Sequence, residues 1–166
     1  MDVAHKLALL ERMINRIFNQ NLLRVESINS DGQPVFYSGQ WRQIGKNDRL
    51  AIVGDRVIDM VLCTSWFDVR NAEGRLLTKG QWSELQGDLV TDDRLARRGF
   101  SLGLDDVVIK NPGHHGRISN GMMANAVEAI IGAVYVDSGY SLDAVRIVIS
   151  HLSFFKHHLL LVFVAA

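Results

Sequence analysis

Cysteine, proline and net charge are all scarce in this chain of 166 residues. Its one cysteine, Cys63, cannot form an internal disulfide, which excludes a disulfide scaffold and fits a reducing, intracellular compartment. With only two prolines and 48% apolar residues, the chain is globular, not disordered or proline-rich. Eighteen basic residues balance eighteen acidic ones, so no global field announces nucleic acid, and any such surface has to be local. Nor is there an apolar run long enough to cross a bilayer. The last stretch, LLLVFVAA at 159–166, is too short, and Lys156, His157 and His158 interrupt its upstream extension. No membrane partner is expected, and the simplest reading of 152–166 is a last helix packed on the core. The opening MDVAHKLALLERMINRIFNQ mixes Asp2 and Glu11 with Lys6, Arg12 and Arg16; transit peptides are poor in acids, so it reads as an ordinary first helix. The length suits one domain with a proper core.

What is present is helical periodicity. Val3, Leu7, Leu10, Met13, Ile14 and Ile17 predict a helix over 3–18, and a second short one follows at 20–28. SDGQPVFYSGQW at 30–41 is turn-rich, with Pro34 and two glycines. Helices are expected at 46–64, at 79–90 with Trp82, Leu85 and Leu89 on one face, and at 91–100 behind a Thr91 cap. NPGHHG at 111–116 is a loop. A helix over 119–136 starts at a Ser119 cap and stops at Asp137-Ser138-Gly139, and Ser141 caps the last one. No strand pair is expected: the fold class is all-α, in about seven to nine helices.

Two of these helices carry polar groups among apolar neighbours. In NDRLAIVGDRVIDMVLC (47–63) a Gly54-Asp55 pair interrupts the hydrophobic run, although a helix-interior glycine costs about 1 kcal/mol and a buried carboxylate more. Asp48 and Asp55 are two turns apart on one face, with Ala51 between them. In SNGMMANAVEAIIGAVYV (119–136) Asn125 and Glu128 share a face. Small residues nearby (Ala51, Gly54, Ala124, Ala126, Ala129) permit a close helix crossing. Oxygen ligands opposed across it are what a hard cation such as Mg²⁺ requires. The alternative is that Asp55 pairs with Arg49, Arg56 or a helix terminus, while Glu128 faces water.

NDRLAIVGDRVIDMVL resembles the signature helix of the ribonuclease III family, N-E-R-L-E-F-L-G-D-x-V-L. GDLVTDDRLARRGFSLGLDDVV is similar to its middle block, and ANAVEAIIGAVYVDSGY resembles its second acidic helix, A-D-x-F-E-A-L-I-G-A-I-Y-L-D-G-G. The three blocks run in the family's order over roughly residues 20–150. The resemblance implies an all-α, ribonuclease III-type endonuclease domain over 1–152, followed by an apolar C-terminal tail, 153–166. It implies a homodimer that cradles double-stranded RNA, reads the A-form duplex by shape and 2′-hydroxyls, and uses Mg²⁺ or Mn²⁺ to activate water and stabilise the leaving oxygen.

On the same grounds the catalytic residues are Asp55 and Glu128, and the metal ligands are Asp55, Glu128, Asn125 and the outer Asp48. The family's four core ligands fall on Ala51, Asp55, Asn125 and Glu128. Ala51 replaces a glutamate and ligates nothing; Asn125 replaces an aspartate and keeps only a neutral carbonyl oxygen. Asp48 is one methylene shorter than the family's glutamate, and an expected outer acid falls on Lys79. Two formal charges are thus lost from the core set, which predicts weak binding of one cation. The family's processing enzymes usually carry a separate double-stranded RNA-binding domain, which nothing in these residues resembles. In the family the signature helix also forms the dimer interface, here Ile52 and Val53, with Ile52 in place of an inserted aromatic; packing of Ile52 inside its own subunit is the alternative.

The expected function is therefore RNA processing on double-stranded RNA with weak or lost cleavage. The other readings are a catalytically inactive RNA-binding or structural subunit, such as a mitochondrial ribosomal-type component, and a regulatory partner that heterodimerises with an active relative. Nucleus, cytoplasm and mitochondrion are equally open. Other constellations carry less. His114-His115 reads as a solvated loop, His157-His158 as helix-end residues and Cys63 as a small core residue. Arg94, Arg97 and Arg98 with Lys110 and Arg117 form either a local phosphate-binding surface or a solvated face.

Overall fold

A computed structural model describes residues 2–113 and 115–161. Helix α1 spans Val3–Ile14, α2 Asn21–Ile28, α3 Asp48–Asp68, α4 Lys79–Leu89, α5 Asp92–Ser101, α6 Asn120–Asp137 and α7 Leu142–His151. Single 3-10 turns lie at Leu104–Asp106 and His158–Leu160. The architecture is all-α in its core, as the periodicity requires. No helix among the described residues is long and apolar enough to cross a membrane.

Four boundaries have visible causes. Ser119 and Ser141 accept the backbone N–H groups of Met122 and Ala144, capping α6 and α7 as their sequences indicate. Thr78 and Gln81 form a reciprocal capping box that starts α4. The first helix stops earlier than its apolar spacing predicts: Asn15 adopts a left-handed φ of 52° and ends it, leaving Ile17 outside and 78% exposed.

The expectation of no strand pair is wrong. Pro34–Tyr37 (β1) and Gln40–Gln43 (β2) form an antiparallel hairpin joined by Ser38-Gly39. Both loop residues have positive φ, 53° and 78°, the geometry whose twist suits a two-residue hairpin turn. Val35 is buried in the core, while Phe36 and Trp41 pair edge to face on the outside. The reading of 152–166 as a last helix is also corrected. The helix ends at His151, and the chain continues through turns to the short 3-10 turn. Phe154 is buried, and Phe155, Leu159 and Leu160 pack around Leu62, Leu77, Leu85 and Leu89. Residues 162–166 of the expected tail lie outside the described residues.

Helix α6 runs through the centre of the molecule. Met123, Ala124, Ala126, Val127, Ala129, Ile130, Ile131, Ala133 and Val134 are all buried against α2, α3, α5 and α7. The large aliphatic side chains contribute about 1.5–3 kcal/mol each by burial. Where α3 crosses α6 the backbones touch. A Cβ at Gly54 would stand 1.8 Å from the Glu128 carbonyl oxygen, and one at Gly132 would stand 2.1 Å from the Leu50 carbonyl oxygen. Gly54 is therefore required by the crossing. Its helix penalty is offset by the contact it permits.

Candidate active site

The crossing fixes what lies beside it. Asp55 follows Gly54 on α3, and Glu128 belongs to the residue whose carbonyl Gly54 abuts. Asp55 is half-exposed and pairs with the neighbouring Arg56 at 3.2 Å, as one alternative foresaw. Glu128, however, does not simply face water. It is half-buried, and no donor among the described residues reaches its carboxylate. Burial first, and then the negative charges of Asp55 and Asp92, push the Glu128 carboxyl up to about 7 against the opposing charge of Arg56. Asp55, Asp92 and Glu128 thus form an electrostatically strained acidic centre. Asp92 reaches it from the first turn of α5.

The second polar group of α6 is held by a buried amide chain. Asn47 occupies the N-cap position of α3 but gives its helix no side-chain cap. Its Oδ1 instead accepts from Asn125 Nδ2 at 2.8 Å, and its Nδ2 donates to the Ser27 carbonyl. Asn47 is fully buried, and its backbone N–H donates to the carbonyl of Asn29. Asn29, also buried, donates through Nδ2 to the carbonyls of Gln33, Ile44 and Gly45, tying the hairpin to the same network. Asn125 Nδ2 also lies 3.3 Å from Asp48 Oδ1, which pairs with Lys46 at 3.1 Å. With Nδ2 so engaged, Asn125 keeps Oδ1 as its acceptor edge.

The structure therefore brings Asp55 to Glu128 and Asp48 to Asn125 across the α3–α6 contact. Ala51 is buried at the same crossing, 3% exposed, and brings no donor atom. Lys79 is exposed at the start of α4 and joins none of these contacts. Asn47, Asn29 and Asp92 were not anticipated as site residues. The only signal for Asn47 is its place one residue ahead of Asp48, which marks a cap, not a link to α6.

The remaining candidates separate. Ile52 is 67% exposed, which removes the reading that it packs inside its own subunit; Val53 is half-buried against the core. The arginines of α5 do not form a free basic surface. Arg94 pairs with Asp88, Arg97 pairs with Asp93, and Arg98 donates to the Leu152 carbonyl. Lys110 donates to the Gly116 carbonyl. His115 is exposed in its loop, and His114 lies outside the described residues. Cys63 is free and half-buried on α3. His157 and His158 do not end a helix, since α7 stops at His151; His157 precedes a 3-10 turn and its side chain is only 8% exposed.

A family model described as Ribonuclease-III-like matches residues 36–154. Among curated relatives, Ribonuclease 3 of Shewanella sediminis is 35% identical over 96 residues, 56% of this chain and 41% of that protein. Ribonuclease 3 of Caldanaerobacter subterraneus is 30% identical over 154 residues, 88% of this chain and 61% of that protein. The chain spans about half the length of the curated relatives it matches. A solved nuclease domain of ribonuclease III from Campylobacter jejuni superposes with a TM-score of 0.67 at 26% identity, covering 95% of this chain and 99% of that one. A second structure from the same organism, described for flexibility in a region involved in dimer formation, gives 0.68 at 24% identity, with 89% and 96% covered.

Proposed function

Because this chain belongs to the ribonuclease-III-like family, we propose that it acts on double-stranded RNA through a phosphodiester-hydrolysis centre that is only partly retained. One observation carries this reading: Asp55 and Glu128 are electrostatically coupled at the α3–α6 crossing while Ala51, buried between the same helices, supplies no charge. The donor set fits one hard cation, Mg²⁺ or Mn²⁺, held by the Asp55 and Glu128 carboxylates with the neutral Asn125 oxygen and with Asp48 outside them. Such a cation, when bound, supplies Lewis acidity and activates water. The chain's own part is to concentrate negative charge at Glu128 and to orient Asn125 through Asn47. With two anionic ligands fewer than the family pattern, the site binds its cation weakly, and cleavage is weak or lost.

The exposed outer face of α3 supports a homodimer. Ile52, Met60 and Phe67, 67%, 50% and 70% exposed, form an apolar stripe that none of the described residues covers. The buried Ala51 also favours a second reading, an inactive RNA-binding or structural subunit, ribosomal or heterodimeric. A direct test incubates the protein with long duplex RNA in Mg²⁺, Mn²⁺ or chelator, beside Ala51→Glu/Asn125→Asp. The double variant should bind Mg²⁺ more tightly and cleave faster than wild type. A folded, dimeric, RNA-binding double variant that cuts nothing would favour the structural reading. Ile52→Asp, which adds a charge to a surface position, should keep the helical circular dichroism of wild type and sediment as a monomer with reduced duplex binding. Unfolding of this variant, or a monomeric wild type, would contradict the dimer.

A further inference from the structure

A second side-chain cluster lies away from the acidic centre, between α4 and the segment that follows α7. Glu84 and Asp88 are four residues apart on one face of α4, and His157 and His158 lie against them. His157 Nε2 is 3.3 Å from Asp88 Oδ2 and 4.0 Å from Glu84 Oε1; His158 Nε2 is 3.6 Å from Glu84 Oε1. The ligand atoms of Glu84, His157 and His158 all lie within 4.8 Å of one another. We propose that Glu84, Asp88, His157 and His158 form a binding site for a borderline divalent metal of the zinc class, which clips the C-terminal segment onto α4.

The donor types select the metal. Two imidazoles with two carboxylates suit Zn²⁺ and not Mg²⁺. Around a tetrahedral zinc with bonds of about 2.0–2.2 Å, neighbouring donor atoms stand about 3.3–3.6 Å apart. The His157–Asp88 and His158–Glu84 separations, 3.3 and 3.6 Å, lie in that range. Asp88 meets the cluster only through His157, and rotation of the exposed Glu84 and His158 side chains (45% and 69%) brings their donors to the same point. The charge also balances, since two carboxylates neutralise one divalent ion beside neutral imidazoles. Support around the ligands is present: Arg94 holds the other oxygen of Asp88, Oδ1, leaving Oδ2 for the site.

His157 sets the condition for binding. Its Nδ1 accepts the Leu159 backbone N–H, so in the metal-free ring Nε2 carries the proton and points it at Asp88. A metal on Nε2 moves that proton to Nδ1, with no change in ring charge, and the Leu159 N–H turns to solvent. The apolar contacts of Leu159 and Leu160 with the α4 cluster keep the segment in place during this exchange.

The test is independent of nuclease activity. The full chain, carrying no affinity tag, is titrated with Zn²⁺ by calorimetry and with Co²⁺ by visible absorption, in excess Mg²⁺. The expected result is a single equivalent, a tetrahedral Co²⁺ spectrum displaced by Zn²⁺, and slower amide exchange at His158 and Leu160. Glu84→Gln and His158→Ala, both at exposed positions and checked by circular dichroism, should each weaken binding roughly tenfold or more. Asp55→Asn should leave it unchanged. Zn²⁺ affinity unmoved by Glu84→Gln and His158→Ala, or lost in Asp55→Asn, would overturn the assignment, as would the absence of a stoichiometric complex.

Discussion

Helix α6 carries two carboxylates nine residues apart, and the fold treats them in opposite ways. Asp137, at the C-terminal end, is buried, and its oxygens accept the backbone N–H groups of Asn19 and Gln20, the Asn19 amide and the Arg16 guanidinium. Glu128, near the middle, is half-buried beside Asp55 and Asp92, and its carboxyl is pushed up to about 7. Asp137 shows how this chain stabilises an acid it needs for structure: donors surround it, and the loop between α1 and α2 is fixed as a result. Glu128 has neighbours of its own sign. That one acid is satisfied so fully and the other left strained supports the proposal that the second is a place for a cation.

The difference can be broken from its strong end first. Asp137→Ala removes the acceptor for four donors and leaves Arg16 without its partner acid, so it should lower unfolding free energy by about 3 kcal/mol or more, read from urea melts. A loss below about 1 kcal/mol would mean that the network is not what holds the loop. Next comes Gly54→Ala. The new methyl would fall on the Glu128 carbonyl, and separating α3 from α6 should destabilise by about 2–3 kcal/mol. The same change should pull Asp55 away from Glu128 and lower the Glu128 titration point. A Gly54→Ala variant that melts like wild type would show that the helices do not touch there.

The smallest effect sharpens the Glu128 side. Because the folded-state carboxyl titrates near 7 and the unfolded one near the ordinary value of 4.5, the folded chain binds the extra proton between those values. Its stability contribution is therefore full below about 4.5 and is lost as pH rises through about 7. Glu128→Gln should flatten that slope and make the protein more stable than wild type at alkaline pH, by about 1 kcal/mol after discounting for the solvent that reaches the half-exposed carboxyl. Equal pH slopes in wild type and variant would place Glu128 in water.

The contrast also explains what was legible in the sequence. Helices α3 and α6 announce themselves because their apolar runs are long and continuous, and Ser119 and Ser141 cap where serine before a helix should. The pairing of Asp55 with Glu128 follows from spacing once the two helices are known to cross, and Gly54 and Gly132 are the residues that let them. The role of Asp137 was not legible. Next to Ser138-Gly139 it has the composition of a helix stop, and nothing local reveals that donors more than a hundred positions away converge on it. Asn47 was missed for the same reason: a cap and a long-range link to Asn125 look identical in one dimension. The hairpin was overlooked although Ser38-Gly39 carried its signal, because its strands are only four residues long and Pro34 made the segment read as a loop. His157 and His158 meet Glu84 and Asp88 only through tertiary folding of the segment after α7.

The central claim is that Glu128 and Asp55 form a strained pair that a divalent cation relieves. Isotope-edited NMR of the glutamate carboxyls, titrated with pH in the absence and presence of Mg²⁺, tests it most directly. One glutamate, assigned by its loss in Glu128→Gln, should titrate near 7 without metal and shift to lower pH as Mg²⁺ is added, because the cation favours the ionised form. A Glu128 that titrates in the ordinary carboxylate range and does not move with Mg²⁺ would contradict the account.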